Sequence, residues 1–349
     1  MIASLPTQVS VVIAMFNEAE NVEGTVRAVA TVLETSGLNW EVLLVDDGST
    51  DETAHVAEAL SWRDDRIRII SYFPNQGRGK AIRTGFEKAR GRIIATIDSD
   101  LSYDPKFILD LVKTFSEKPE AGVVIGSPYM KGGRTEGVPF LRLWVSRFGN
   151  LLLGFALPGN LRTTTGILRA YRREVLEVLE LESNGKELYL EILSKVLALG
   201  YPVYEVPAIL RVRKKGRSKF KLRNTASSHF IFSIYERPMM VFGLLGLLLL
   251  GLGAISGLYI TYLRFKHFLN PTRPLVALTI LLLLGGIGIL SFGFIAIQLA
   301  MLRKELYKVQ KQNRMLTWRL ESLSGRPRSF PIEPMEGETL GDRRREVIQ

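Results

Sequence analysis

The 349-residue sequence contains no cysteine. That excludes a disulfide framework and a thiolate metal site, and it leaves the compartment unmarked by redox chemistry. No Gly-x-Gly-x-x-Gly follows the first predicted strand, and no Gly-Lys-Ser/Thr loop occurs anywhere. The main signatures of dinucleotide-binding and P-loop proteins are therefore missing. Acidic residues are absent from Arg211 to Arg223, where eight residues are basic. Charge of either sign is absent from two long runs, the 25 residues Met239–Leu263 and the 28 residues Leu275–Leu302. Each run exceeds the roughly 20 residues needed to cross a bilayer core. A soluble hairpin of buried helices is the lesser alternative, and no N-terminal signal peptide is expected.

What is present begins with charge. A net charge of +11 implies an anionic partner, which could be nucleic acid, nucleotide or lipid headgroups. Nucleic acid is set aside, because the basic strip adjoins a membrane span and has no reading helix beside it. The strip and the mixed aromatic and polar segment after it read as an interfacial region on anionic headgroups. Nine Lys/Arg lie in 211–237 and six in 303–319, against three in the loop 264–274. The positive-inside rule then predicts a multi-pass protein of the cytoplasmic membrane, with head and tail on the cytoplasmic side.

The first two-thirds of the chain alternates short apolar runs with amphipathic ones. Val9–Ala14, Trp40–Val45, Arg66–Ser71, Ile93–Ile97 and Gly122–Gly126 read as buried strands. Helices are expected over Asn21–Ser36, with Val22, Val26, Val29 and Leu33 inward, from Ser49 or Thr50 as N-cap to Leu60, from an opening stretch Asn75–Ala81 to Ala89, and over Lys186–Leu199. Tyr201–Leu210 reads as an edge-like strand broken by prolines. This alternation predicts an α/β fold with a doubly wound, mostly parallel sheet. The organisation expected is a head over 1–222, an interfacial helix over 223–237, and two spans within 238–303, at about 239–263 and 275–302. A helix over 304–324 and a disordered tail over 325–349 complete it.

Ligands of such sheets bind beyond the carboxyl ends of the strands. Here those ends carry Asn17-Glu18, Asp46-Asp47 and Asp98-Ser99-Asp100. Two carboxylates at i and i+2 in the turn after a strand can converge as oxygen ligands for a hard divalent cation. Taken alone, they fit a solvated strand end equally well. Gly77-Arg78-Gly79-Lys80 suits close backbone approach to a diphosphate neutralised by Arg78 and Lys80, or a plain glycine turn. After the second span, Leu302, Leu306, Val309, Asn313, Leu316, Leu320 and Leu323 step by 4 and 3 alternately, a heptad seam with Asn313 at an a position. It predicts either a homo-oligomer through 302–323 or a helix packed on its own head or membrane.

Asn17-Glu18, Val45-Asp46-Asp47-Gly48-Ser49-Thr50-Asp51, Asn75 through Ala81, and Asp98-Ser99-Asp100 resemble, in order and spacing, the inverting glycosyltransferases of family 2. The similarity continues through Gly126-Ser127, Gly132-Gly133, Glu191, Glu205-Val206-Pro207 and Gly216-Arg217-Ser218-Lys219. This longer set, over roughly residues 8–220, is similar to the dolichol-phosphate mannose synthases and bacterial polyprenyl-phosphate glycosyltransferases. The resemblance implies the nucleotide-sugar glycosyltransferase A-type fold, a nucleotide-diphosphate sugar donor such as GDP-mannose or a UDP-hexose, and Mg²⁺ or Mn²⁺ held by Asp98 and Asp100. It implies donor contacts from Ala14, Phe16, Asn17, Glu18, Val45, Asp46, Asp47, Arg78, Lys80 and Ser99. The acceptor implied is a polyprenyl or dolichyl phosphate, aligned by Arg142 and Ser146, with Lys131, Arg134, Arg211, Arg213, Arg217, Ser218 and Lys219 adding contacts. Ala14 and Phe16 stand where the family has Pro and Tyr, and Pro128 stands where its Gly-Ser-Arg-Tyr has arginine, so Lys131 or Arg134 takes that place. Asn160–Arg169 likewise departs from the family's Asp-x-Thr-Ser-Gly-Phe-Arg. A processive polysaccharide synthase would carry Gln-x-x-Arg-Trp, which is missing. A scaffold with a degenerate head would have no reason to keep both Asp98 and Asp100.

Overall fold

A computed structural model describes residues 7–138, 143, 146, 147, 150, 161–212, 238–266 and 273–323; from 303 onward, side chains are described only at 305, 306, 309, 312, 313 and 316. Seven strands make the main sheet: β1 (Val9–Met15), β2 (Trp40–Asp47), β3 (Ile67–Tyr72), β4 (Ile93–Thr96), β5 (Val123–Ser127), β7 (Arg169–Arg172) and β8 (Val203–Pro207). Their order is β3-β2-β1-β4-β7-β5-β8, parallel except for β7, which runs against both β4 and β5. A second, two-stranded sheet pairs β6 (Arg134–Glu136) with β9 (Ile209–Arg211).

The central strands are buried on both faces, which is why they read as continuous β-branched runs rather than alternating ones. Helices α1 (Ala19–Glu34), α2 (Thr53–Ser61), α3 (Arg78–Lys88), α4 (Phe107–Glu117), α5 (Arg173–Val178) and α6 (Leu188–Ala198) cover the sheet. In α1 the inward stripe includes Val22, Val26, Val29 and Leu33, as the spacing predicts. The expected N-cap of α2 is corrected. Neither Ser49 nor Thr50 caps it, and Asp51 accepts the Thr53 N–H at 3.0 Å instead. Ser49 serves another loop, accepting the Asn17 N–H at 2.9 Å and donating to Asp46. The stretch Tyr201–Leu210 divides: β8 holds the sheet edge to Pro207, and Ile209 begins β9 in the second sheet.

Helices α7 (Pro238–Phe265) and α8 (Arg273–Leu323) form an antiparallel hairpin. Val241–Phe265 and Pro274–Leu302 are long and apolar enough to cross a membrane, and their most apolar stretches are only 17% and 11% buried, unlike a core helix. Glycines bring the pair together. A β-carbon on Gly246 would lie 3.1 Å from the Gly286 carbonyl oxygen, and one on Gly286 would lie 3.0 Å from that of Gly246. Ser256 and Thr279 add an interhelical hydroxyl contact of 2.6 Å. The expected separate helix over 304–324 is the uninterrupted continuation of the second span. The expected interfacial helix and the tail from 325 lie outside the described residues.

Gly85 lets α3 lie against β1, since a β-carbon there would come within 2.3 Å of Val12 Cγ1. Gly85→Leu is expected to destabilise the head by about 2 kcal/mol, the scale of overpacking a filled core. Thermal unfolding of the detergent-solubilised protein checks this as a lowered Tm.

Candidate active site

Strand β1 hands over to β2 on one side and β4 lies on its other side, so the sheet reverses its winding between β1 and β4. That switch point opens a crevice beyond the carboxyl ends of the strands. A pocket of about 210 Å³ lies there, lined by Ala14, Phe16, Glu18, Asp47, Arg78 and Ser99 among others. Among the described residues, the two non-glycine positions with positive φ flank this region: Asn17 (φ 53) after β1 and Leu101 (φ 54) after β4. A leucine in the left-handed region costs roughly 1 kcal/mol, so the turn after Asp100 is held by its surroundings rather than by local preference.

Asp47 builds one wall. Its carboxylate is buried and accepts four hydrogen bonds from the β3–α3 segment. Oδ1 takes the Tyr72 hydroxyl and the Gln76 N–H, both at 2.9 Å. Oδ2 takes Asn75 Nδ2 at 2.8 Å and the Gly77 N–H at 3.0 Å. Burial and this contact raise the Tyr72 hydroxyl pKa, which keeps it a donor. Asp46 faces its own loop and is held by Ser49; burial raises its pKa despite those bonds. Glu18 is buried, accepts from Asn21 Nδ2 at 2.8 Å, and lines the pocket. Asn17 turns its amide to Thr50 instead, and Val45 is fully buried in the core. Neither of these two lines the pocket.

The Asp98-Ser99-Asp100 turn forms the opposite wall. Asp98 Oδ1 lies 3.2 Å from Arg78 Nη1 across the crevice. Burial pushes the Asp98 carboxyl up, against the pull of Arg78, and Asp100 adds to the rise by like charge. Asp100 Oδ1 accepts the Ser102 N–H at 3.0 Å, and the Ser99 carbonyl accepts the Thr25 hydroxyl at 2.7 Å. These carboxylates are hard oxygen donors of the kind Mg²⁺ or Mn²⁺ takes. Among the described residues no cluster of three Asp, Glu, His or Cys is placed to hold a metal. A cation here would keep positions open for phosphate oxygens and water, so the donor set fits the metal that the resemblance implies.

The glycines of Gly77-Arg78-Gly79-Lys80 permit a close approach, but the segment they meet is the chain's own. Asn184 O accepts the Gly79 N–H at 2.6 Å and the Lys80 N–H at 3.3 Å, and a β-carbon on Gly79 would sit 2.6 Å from Ser183 O and Gly185 O. Gly77 also needs its φ of 100°. The segment 180–187 is therefore a strap across the start of α3. Glu191 anchors it, accepting N–H groups from Glu182 (3.0 Å) and Ser183 (2.9 Å) and pairing with Lys195 at 2.6 Å. Burial pushes the Glu191 carboxyl up, yet Lys195 and Ser183 outweigh it and hold the pKa below the ordinary value. The strap carries Lys186, whose charge acts on Asp98. The sequence reading missed Lys186, because nothing in its immediate surroundings signals a site.

On the side away from β1, Arg211 of β9 reaches back to the same turn. Its N–H donates to Ser102 O at 2.8 Å, and its guanidinium meets Glu136 at 2.9 Å and Asp104 at 3.7 Å. Arg134 also pairs with Glu136, at 3.1 Å. Arg134 and Arg211 are thus brought together, while Lys131 is exposed on the loop between β5 and β6. Ser146 hydrogen-bonds Tyr129 at 2.7 Å. Pro128 is buried, so the family's arginine position is packed rather than open here. Arg142, Arg213, Arg217, Ser218 and Lys219 lie outside the described residues. Arg169 was read as part of a loose motif. It is fully buried and donates to the carbonyls of Gly166, Tyr189 and Thr164, which fixes the turn before β7.

Residues 10–179 match the family described as Glycosyl transferase family 2. The chain is 31% identical over 305 residues to dodecaprenyl-phosphate galacturonate synthase of Rhizobium johnstonii, over 84% of this chain and 88% of that protein. It is 35% identical over 217 residues to dolichol-phosphate mannosyltransferase of Pyrococcus furiosus, over 61% of this chain and 59% of that protein. Glucosyl-3-phosphoglycerate synthase from Mycobacterium tuberculosis, crystallised with Mn²⁺, uridine-diphosphate-glucose and phosphoglyceric acid, superposes with a TM-score of 0.51 at 20% identity, over 66% of this chain and 79% of that one. The last likeness concerns the fold alone.

Glu191→Ala strips the strap of its anchor and leaves Lys195 buried without its carboxylate. A loss of about 3 kcal/mol of stability is expected. The folded pKa is depressed, so the contribution is complete above the unfolded value of about 4.3 and fades as pH falls through the folded one. Denaturant unfolding should show the wild-type advantage at pH 7 and its shrinkage below about pH 4.

Proposed function

The chain belongs to glycosyl transferase family 2, and on that footing we propose that it transfers one sugar from a nucleotide-diphosphate sugar to a polyprenyl phosphate. The product is a polyprenyl-phosphate sugar. The observation that carries this reading is a pair of carboxylates and a facing arginine at the β1/β4 switch point. They sit in a chain matched over most of its length by a dodecaprenyl-phosphate galacturonate synthase. The two apolar helices and their basic flanks support a membrane-anchored head on the cytoplasmic face, beside a lipid acceptor.

In this reading the nucleoside lies along Ala14, Phe16 and the Asp47 wall, and the diphosphate lies between Arg78 and the Asp98–Asp100 turn. Asp98 and Asp100 would hold Mg²⁺ or Mn²⁺, which when bound neutralises charge on the departing nucleotide. Arg78 and Lys186 place positive charge at the same end. The acceptor needs no general base. A phosphate monoester has a second pKa of about 6 and is already largely a dianion at neutral pH. Its requirement is alignment by cations; Arg211, tied to Ser102 at the end of the turn, and Arg134, which shares Glu136 with it, would supply them. The family resemblance assigns Ser146 and Arg142 to the acceptor phosphate as well.

The test is a transfer assay in detergent with a short polyprenyl phosphate, Mg²⁺ or Mn²⁺, and labelled GDP-mannose, UDP-glucose and UDP-galacturonate in turn. A chelator-sensitive glycolipid is expected with one donor, and Asp100→Ala should lower its rate by roughly 10²–10³-fold, the scale of losing one transition-state electrostatic contact. Donor hydrolysis with no lipid product would refute the acceptor, and full activity of Asp100→Ala would refute the metal site.

A further inference from the structure

Helix α8 does not end where its apolar span ends. It runs on from Leu302 to Leu323, and at about 1.5 Å per residue that part extends roughly 30 Å beyond the span. The described part of its heptad seam is exposed in the single chain: Leu302 59%, Leu306 54%, Val309 49% and Leu316 58%, with Asn313 exposed between them. The same 3-and-4 stepping continues backwards into the span through Leu299, Ile295 and Phe292, all more than half exposed. One apolar stripe therefore crosses from the bilayer into water without a break. In the bilayer lipid covers it. Beyond the bilayer an exposed stripe of this length is costly, and the contacts that α8 makes with α5 and α6 of the head leave the described seam residues exposed.

We infer that a second copy of this chain covers the stripe, as a parallel, in-register, two-stranded coiled coil over Leu302–Leu323. Three features single out a second copy. Both copies leave the membrane on the same side and at the same residue, so the two helices are parallel and start in register. In that register Asn313, at an a position, meets Asn313 of the second copy, the arrangement in which one polar a residue specifies pairing. The flanking g and e′ positions pair Gln298 with Arg303, Glu305 with Gln310, and Gln312 with Thr317, so no like charges face each other. Lys304, Lys308, Lys311 and Arg314 fall at f, c, f and b positions, off the seam. Three heptads are marginal alone in water. Confinement to one membrane raises the effective concentration and makes so short a seam sufficient.

The absence of native cysteine makes the test direct. Leu316→Cys (position d) and Lys311→Cys (position f) are made singly in the full-length chain, in membranes, and treated with mild oxidant. The pairing predicts a disulfide-linked dimer several-fold more abundant at 316 than at 311, and its loss when Leu306→Glu is added. Equal cross-linking at both positions, no cross-linking at either, or cross-linking at 316 that survives Leu306→Glu overturns the inference. Head folding in the Leu306→Glu variant, followed by thermal unfolding, distinguishes loss of pairing from loss of structure. The outcome is independent of whether the proposed transfer reaction occurs.

Discussion

The arrangement rests on one carboxylate. Asp47 ends β2, between β3 and β1 in the sheet, and uses both oxygens to gather Tyr72, Asn75, Gln76 and Gly77. Those four donors are the last residue of β3 and the three residues that lead directly into α3. Fixing them fixes where α3 begins, and Arg78 is its first residue. Arg78 in turn faces Asp98 across the crevice. A loop tied by ion–dipole bonds to a buried anion is stiffer than one held by apolar contact, since each charge-assisted bond is directional and costly to leave unmade. This wall of the crevice is therefore set by the chain's own hydrogen bonds.

Two further ties act on the same point from other directions. The strap 180–187 lies over the start of α3, pinned by Glu191 and by Arg83, which donates to Leu181 O and to Asn184. Strand β9 hangs Arg211 from Ser102, one residue past the strained Leu101. The turn bearing Asp98 and Asp100 is thereby bracketed by cations: Arg78 and Lys186 on one side, Arg211 on the other. That suits a reaction between two phosphate-bearing substrates, in which the protein's task is to hold anions near one another. In sequence, Arg211 opens the basic run Arg211–Arg223 that precedes the two membrane-length helices.

Much of this was legible in the sequence, for identifiable reasons. Buried parallel strands are short apolar runs, and their polar ends, Asn17-Glu18, Asp46-Asp47 and Asp98-Ser99-Asp100, mark the site because ligand chemistry there forbids apolar residues. The Val22, Val26, Val29, Leu33 stripe and the charge-free spans follow from helical periodicity and bilayer thickness. What was hidden depends on long-range partners. Strand β7 contains Arg169 and Arg172, so its composition argues against a buried strand, and only carbonyls from the turn 164–166, the strap helix and the α4–β5 connection make those guanidiniums acceptable. Gly79 suggested room for a ligand, and the room is taken by Asn184, about a hundred residues away. Asp47 and Asn17 read as donor contacts; the geometry adds that Asp47, which lines the pocket, also assembles its wall, and that Asn17 joins β1 to the β2–α2 loop. Motif spacing reports that a residue is at the site. It does not report whether the residue touches substrate or holds the residues that do.

The most direct measurement is nucleotide affinity in Asp47→Asn. The amide keeps the size of the carboxylate but offers one acceptor oxygen and puts an NH₂ group against N–H or O–H donors, so the β3–α3 loop loses its anchor. Titration of the detergent-solubilised protein with UDP and with GDP, in Mg²⁺ or Mn²⁺, should show whichever nucleotide the wild type binds weakened about tenfold or more, the equivalent of 1.4 kcal/mol or above. The head should still unfold cooperatively. Unchanged nucleotide affinity in a folded Asp47→Asn protein would contradict the claim that this carboxylate organises the donor site.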